Sequence, residues 1–191
     1  MIKQLRQETG AGVQDCRKAL EQNDGNYTAA LHSLQEKSAA AAAKRSDRQA
    51  SQGIIELYSH GNGRIGVMVE VNCETDFAAR STAFLTFAHE LALQIAGASP
   101  LWVRDEDIPP DILQQEEGKV REMAWSQGKP DELIPRIVAG YLKKFMDQNV
   151  LIRQPSIRDD TRTISQLLAQ VSGSLGENVI IRRFARWEIV T

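Results

Sequence analysis

From residue 65 to residue 73 a core-type side chain returns at every second position: Ile65, Val67, Val69, Val71 and Cys73 alternate with Gly66, Met68, Glu70 and Asn72. A period of two marks a strand with one face in a core, so the chain must supply both a pairing partner and a covering layer. Upstream, His60-Gly61-Asn62-Gly63-Arg64 carries the Asn-Gly hairpin signal, and residues 54–58 read as the antiparallel partner. Downstream the alternation stops at Asn72-Cys73-Glu74-Thr75-Asp76-Phe77. Phe84, Phe87, Ala88, Leu91 and Ile95 then recur at helical spacing behind Ser81, which has the chemistry of an N-cap. The chain therefore turns a strand-to-helix corner at residues 72–77, a place where rigid elements present side chains outward.

The segments on either side are helical. Ile2 and Leu5 precede the breaker Thr9-Gly10-Ala11-Gly12; Val13, Cys16, Ala19 and Leu20 follow; then come the turn Asn23-Asp24-Gly25-Asn26 and the stripe Tyr27, Ala30, Leu31, Leu34. This predicts a three-helix unit over 1–37, joined by tight turns like those of ubiquitin-associated (UBA-like) modules and suited to protein binding. Residues 38–52, with five consecutive alanines and then Lys44, Arg45, Asp47 and Arg48, read as a helical linker that tethers the module without docking it firmly. Residues 53–191 form the core domain. Within it, helical patterns cover Ile112 through Ala124 and Ile134 through Phe145, the latter closing a helical layer. Residues 150–152 read as extended, Ile164, Leu167, Leu168 and Val171 as a helix, and residues 179–190 as a third strand. The expected fold class is α+β: a small antiparallel three-stranded sheet packed with helices, behind the N-terminal module and linker.

Composition narrows the function classes. A net charge of -2 over 191 residues argues against a general nucleic-acid binder that lives on counterion release. Cys16 and Cys73 lie far apart with no metal-type spacing, so a reducing compartment is expected and a zinc site is not. With no leader pattern at Met1 and no long apolar run, the chain reads as cytoplasmic, away from membranes.

Catalytic constellations are scarce. Gly61, Gly63 and Gly66 spell a phosphate-loop spacing, but a strand follows where a dinucleotide site needs a helix, so these read as turn glycines. His89-Glu90 begins a zinc motif that Leu93 fails to complete, and Ser172-Gly173-Ser174-Leu175-Gly176 lacks the spacing of a nucleophile elbow. His32, His60 and His89 have no companion nucleophile in sequence. The chain does not read as an enzyme, and no cofactor is expected. On the residues alone, Phe77 reads as a core anchor of the following helix and Thr75 or Asp76 as a helix cap.

Three separated stretches resemble the elongation factor Ts family: Leu5-Arg6-Gln7-Glu8-Thr9-Gly10-Ala11-Gly12 with Asp15-Cys16-Arg17-Lys18-Ala19-Leu20; Val69-Glu70-Val71-Asn72-Cys73-Glu74-Thr75-Asp76-Phe77-Ala78-Ala79-Arg80; and Gly176-Glu177-Asn178-Val179-Ile180-Ile181-Arg182-Arg183. The resemblance implies guanine nucleotide exchange on the GTPase elongation factor Tu, by binding and without covalent chemistry. It also implies that Thr75, Asp76, Phe77 and Ala78 enter the GTPase near its Mg²⁺ and disturb that ion's site. Arg6, Thr9, Gly10, Ala11, Gly12, Val13 and Gln14 would meet its nucleotide-binding domain. The family often has methionine at one or both of the last two positions; the departure makes Val13 a core candidate and Gln14 the exposed contact. The chain resembles a short form without a second sheet subdomain or the protruding coiled coil. Its single sheet is then expected to leave an apolar face that a second copy would cover, giving a homodimer. A different class also fits the N-terminal module: a UBA-like adaptor that binds some other protein and has no exchange activity.

Overall fold

The computed structural model describes residues 1–189; Val190, the last residue of the expected third strand, lies outside them. In chain order the elements are α1 (Ile2–Thr9), α2 (Val13–Gln22), α3 (Tyr27–Ala43), β1 (Gln52–His60), β2 (Ile65–Cys73), α4 (Asp76–Ala79), α5 (Thr82–Ala98), α6 (Pro110–Ser126), α7 (Ile134–Asn149), α8 (Ile164–Leu175) and β3 (Ile180–Glu188). The strands form one antiparallel sheet in the order β1-β2-β3, so the fold is α+β.

The alternation in β2 sorts its side chains as the period requires. Val67, Val69, Val71 and Cys73 are buried against Phe84, Phe87, Leu91 and Ile95 of α5, with Ile164 of α8 and Ile181 of β3 closing the same core. Each fully buried aliphatic or aromatic side chain here contributes roughly 1.5–3 kcal/mol, which is why the β2 and α5 stripes decide the architecture. Ser81 caps α5 by accepting from the Phe84 amide at 3.3 Å. Among the described residues the opposite sheet face is apolar and uncovered: Ile55, Leu57, Met68 and Trp187 are all exposed. Leu57 pairs with Met68, Met68 with Ala185 and Gly66 with Trp187. On this face Arg183 donates to Glu70 at 2.7 Å. That bond holds the Glu70 carboxyl below the usual range.

The first three helices bury Leu5, Cys16, Ala19, Ala30 and Leu34 in a core of their own. The composition of residues 38–52 predicts a loose tether, but α3 runs unbroken through that boundary to Ala43 and packs along α8. Ser38 donates to the Ala169 carbonyl at 3.0 Å, and a Cβ added to Gly173 would sit 2.9 Å from the Ser38 hydroxyl. Small residues bury little area but let two helix backbones approach closely, so the segment docks where composition predicts exposure.

The α6 and α7 patterns do not close a layer over the sheet. The two helices form an antiparallel hairpin with a separate small core of Val120, Ala124, Ile134 and Val138. Tyr141 donates to Glu116 at 3.2 Å, and Trp125 to Asp131 at 3.0 Å near the tip. The main contacts of the hairpin run between its own two helices. It is fixed at its base by Arg153, which bonds Asp105 at 2.7 Å and Asp147 at 2.7 Å. Residues 150–152, expected to be extended, make one parallel bridge between Val150 and Trp102 and then a 3-10 turn, Leu151–Arg153.

Candidate partner-binding site

The corner after β2 is built from the backbone outward. Thr75 is extended and accepts from the Ala78 amide at 3.2 Å, making it the N-cap of the single-turn α4. The cap reading of Thr75 therefore holds. The core-anchor reading of Phe77 does not: its side chain is 81% exposed, while Ala78 and Ala79 beside it are buried in the main core. One turn of helix with two alanines facing inward forces the residue before them outward. Asp76 pairs with Arg80 at 3.1 Å and is also partly open to solvent.

Two further groups immobilise the corner. The Cys73 thiol donates to the Thr75 carbonyl at 3.2 Å. Burial, and after it the nearby Glu177 charge, pushes that thiol's pKa up, so it stays protonated and serves as a donor. The stronger hold comes from the α8–β3 turn. Glu177 Oε1 accepts from the Thr75 hydroxyl at 2.6 Å, and its Oε2 accepts from the amides of Glu74 and Thr75, each at 3.1 Å. Hydrogen bonds to a charged acceptor contribute about 1.5–3 kcal/mol each when shielded, and the half-buried setting of Glu177 places these at the lower end.

The N-terminal residues gather at the α1–α2 turn. Thr9 is buried, its hydroxyl donating to the Leu5 carbonyl at 2.6 Å and accepting from the Ala11 amide at 3.2 Å. Gly10 ends α1 in the left-handed region with φ 68°, a conformation that glycine adopts at no steric cost. Arg6, Gly12, Val13 and Gln14 are exposed and Ala11 is half-buried. Val13 is thus no core residue: at 48% exposure it stands out beside Gln14 on the first turn of α2.

These two groups of residues, more than sixty positions apart in sequence, are each anchored near the C-terminal end of α8. A Cβ on Gly10 would lie 3.5 Å from the Ser174 Cβ. Three residues beyond Ser174, after the left-handed Gly176, comes Glu177, which holds Thr75. That stretch of chain spans at most about 11 Å. The arrangement offers an exposed aromatic and a short carboxylate on a rigid mount. Among the described residues no group of three His, Cys, Asp or Glu side chains could hold a metal ion.

The family model for elongation factor Ts matches residues 18–190. The chain belongs to the elongation factor Ts family. The elongation factor Ts of Coprothermobacter proteolyticus is 49% identical over 189 residues, covering 99% of this chain and 96% of that protein. That of Caldanaerobacter subterraneus is 48% identical over 187 residues, covering 98% and 94%. That of Carboxydothermus hydrogenoformans is 44% identical over 189 residues, covering 99% and 87%. Membership makes the chain one of the elongation factors of protein biosynthesis, and no helix of the described residues is long and apolar enough to cross a membrane.

Sequence reasoning missed the roles of Glu177 and Asn178. Both stand inside the third stretch resembling elongation factor Ts, but their partners lie about a hundred positions away, and neither periodicity nor local spacing reports a bond of that range.

Proposed function

We propose that this member of the elongation factor Ts family is a guanine nucleotide exchange factor for elongation factor Tu, acting by binding alone. The observation that carries the reading is Phe77, an aromatic side chain left 81% exposed on a corner whose backbone is locked. In the proposed mechanism the segment Thr75, Asp76, Phe77 and Ala78 brings its exposed residues to the Mg²⁺ site of the GTPase, the buried Ala78 seating the turn. Phe77 supplies apolar area and stiffness as a wedge, and Asp76 a short acceptor for polar groups displaced from the ion. The exposed residues of the α1–α2 turn, Arg6 and Gly12 through Gln14, dock on the nucleotide-binding domain, with Thr9, Gly10 and Ala11 shaping the turn. Linkage then does the work: a factor that binds the GTPase better without Mg²⁺ and GDP lowers their affinity by the same ratio. The setting of that work is the cytoplasm.

Release of labelled GDP from elongation factor Tu tests this directly. The native chain accelerates release, and Phe77→Ala keeps only a small, measurable part of that acceleration at equal folded fraction. A native chain that leaves the release rate unchanged refutes exchange and leaves the adaptor reading, in which the UBA-like module recruits another protein.

The same proposal includes a homodimer. The uncovered sheet face is apolar at Ile55, Leu57, Met68 and Trp187 and carries the ion pair of Glu70 with Arg183, whose charges cancel. Such a face is complementary to itself, as a two-fold interface requires. Sedimentation at micromolar concentration should report a dimer for the native chain and a folded monomer for Leu57→Glu; a native monomer defeats this part alone.

A further inference from the structure

Around Glu177 the bonds run in both directions. While Glu177 accepts from the corner, Glu74 of the corner accepts from the Asn178 amide at 2.6 Å. The Asn178 side chain, buried itself, donates to the carbonyls of Ser46 at 3.2 Å and Arg48 at 2.8 Å. Ser46 and Arg48 lie just past α3, in the only covalent connection between the three-helix module and the sheet. Ser172 of α8 closes the arrangement by donating to the Glu177 carbonyl at 2.5 Å. Two adjacent residues thus hold three chain segments: the exit from the N-terminal module, the Phe77 corner and the end of α8.

We propose that Glu177 and Asn178 are positioning residues for exchange: their clasp fixes the Phe77 corner relative to the α1–α2 turn so that both engage one partner at once. This rests on the exchange reading above. The physical requirement is that of any two-point contact. Two surfaces on a rigid frame act at a high effective concentration toward their second site, and a loosened frame loses that gain without losing any contact residue. Neither Glu177 nor Asn178 has to touch the GTPase. Glu177 controls the aim of Phe77, and Asn178 the seating of the module that carries the other contacts.

The two residues should therefore fail in different ways. Glu177→Ala frees the Glu74 and Thr75 amides and the Thr75 hydroxyl; the maximal rate of stimulated GDP release falls about tenfold or more, as misplacement of a reacting contact by an ångström does. Asn178→Ala instead raises the concentration of factor needed for half-maximal stimulation, with a smaller change in the maximal rate. Glu177→Gln, whose amide oxygen can take both backbone donors while its nitrogen meets the Thr75 hydroxyl, restores most of the native rate. In a Phe77→Ala background Glu177→Ala costs nothing more, because the residue it aims is already gone.

Release is measured against factor concentration for the native chain, the three single variants, Phe77→Ala and the Phe77→Ala/Glu177→Ala pair, with thermal melts to fix the folded fraction. If Glu177→Ala is unfolded at the assay temperature, Glu177→Asp, one methylene too short for all three donors, is read by the same criteria. A native maximal rate in Glu177→Ala, losses that multiply in the double variant, or no rescue by Glu177→Gln overturns the proposal while leaving the exchange reading intact. No acceleration by the native chain removes both.

Discussion

Gly53 lies directly across the hairpin from Asn72, so close that a Cβ built on it would sit 2.2 Å from the Val71 carbonyl oxygen and 2.8 Å from the Asn72 Cα. Its φ of 150° is also one that other residues rarely adopt. Neither obstacle is the movable end of a side chain. Gly53→Ala is therefore expected to destabilise the protein by about 2–3 kcal/mol, since it combines backbone strain with a clash against the strand that leads into the corner. Urea unfolding followed by circular dichroism measures this, and a loss below about 0.5 kcal/mol, the range of ordinary surface changes, counts against it.

Phe77→Ala should have the opposite profile. A side chain 81% exposed, on a turn whose hydrogen bonds are all made by its neighbours, gives the fold little. The expected change in unfolding free energy is within about 0.5 kcal/mol, so any loss of GDP release in this variant reports on the partner. A large stability loss would show that Phe77 packs somewhere in solution.

Close approach of α3 and α8 makes Gly173 sensitive to size. Gly173→Leu pushes against Ser38, whose hydroxyl is already committed to the Ala169 carbonyl. Overpacking of this kind costs about 1–3 kcal/mol. The loss should appear as faster amide exchange in α1 through α3 with β2 unaffected, since the module has a core of its own and can open as a unit. Uniform exchange across both regions would contradict separate opening.

Asp159 sets a pH dependence on the same docking surface. Hydrogen bonds from Thr161 and then Arg162 hold its carboxyl below the ordinary value of 3.8. Arg162 in turn bonds the Glu8 carbonyl at 3.2 Å and Gln170 at 2.9 Å, joining α1 to α8. A depressed carboxyl binds fewer protons when folded, so its contribution is present above 3.8 and disappears as pH falls through the lower folded value. Asp159→Asn should be less stable than the native chain at neutral pH, with the gap closing as pH falls from 3.8 through the lower folded value. A gap independent of pH would mean that the charge of Asp159 is not what matters.

The parts of the fold that could be read in advance are those where one short-range pattern has one structural meaning. Alternation through β2, the Asn-Gly turn, the Ser81 cap and the α5 stripe are of this kind. Helical periodicity in α6 and α7 identified buried faces but carried no information on what buries them, and the answer was each other. The alanines of α3 misled for a related reason: a small side chain is favoured both in a solvated helix and in a tight helix contact. At the corner, Thr75 was legible as a cap because capping is local. The direction of Phe77 was not, since one residue of register at the end of a strand moves a side chain from core to water. The Glu177 clasp spans 102 positions and leaves no periodic trace.

Exposure of Phe77 also bears on the free protein in water. Burying a phenylalanine contributes roughly 1.5–3 kcal/mol, and folding of this chain leaves that contribution unrealised. It stays available to whichever surface first covers the ring, and because the corner is already rigid, little ordering entropy is lost in covering it. The unassociated state is thus kept at a slightly raised free energy, and association begins from that height.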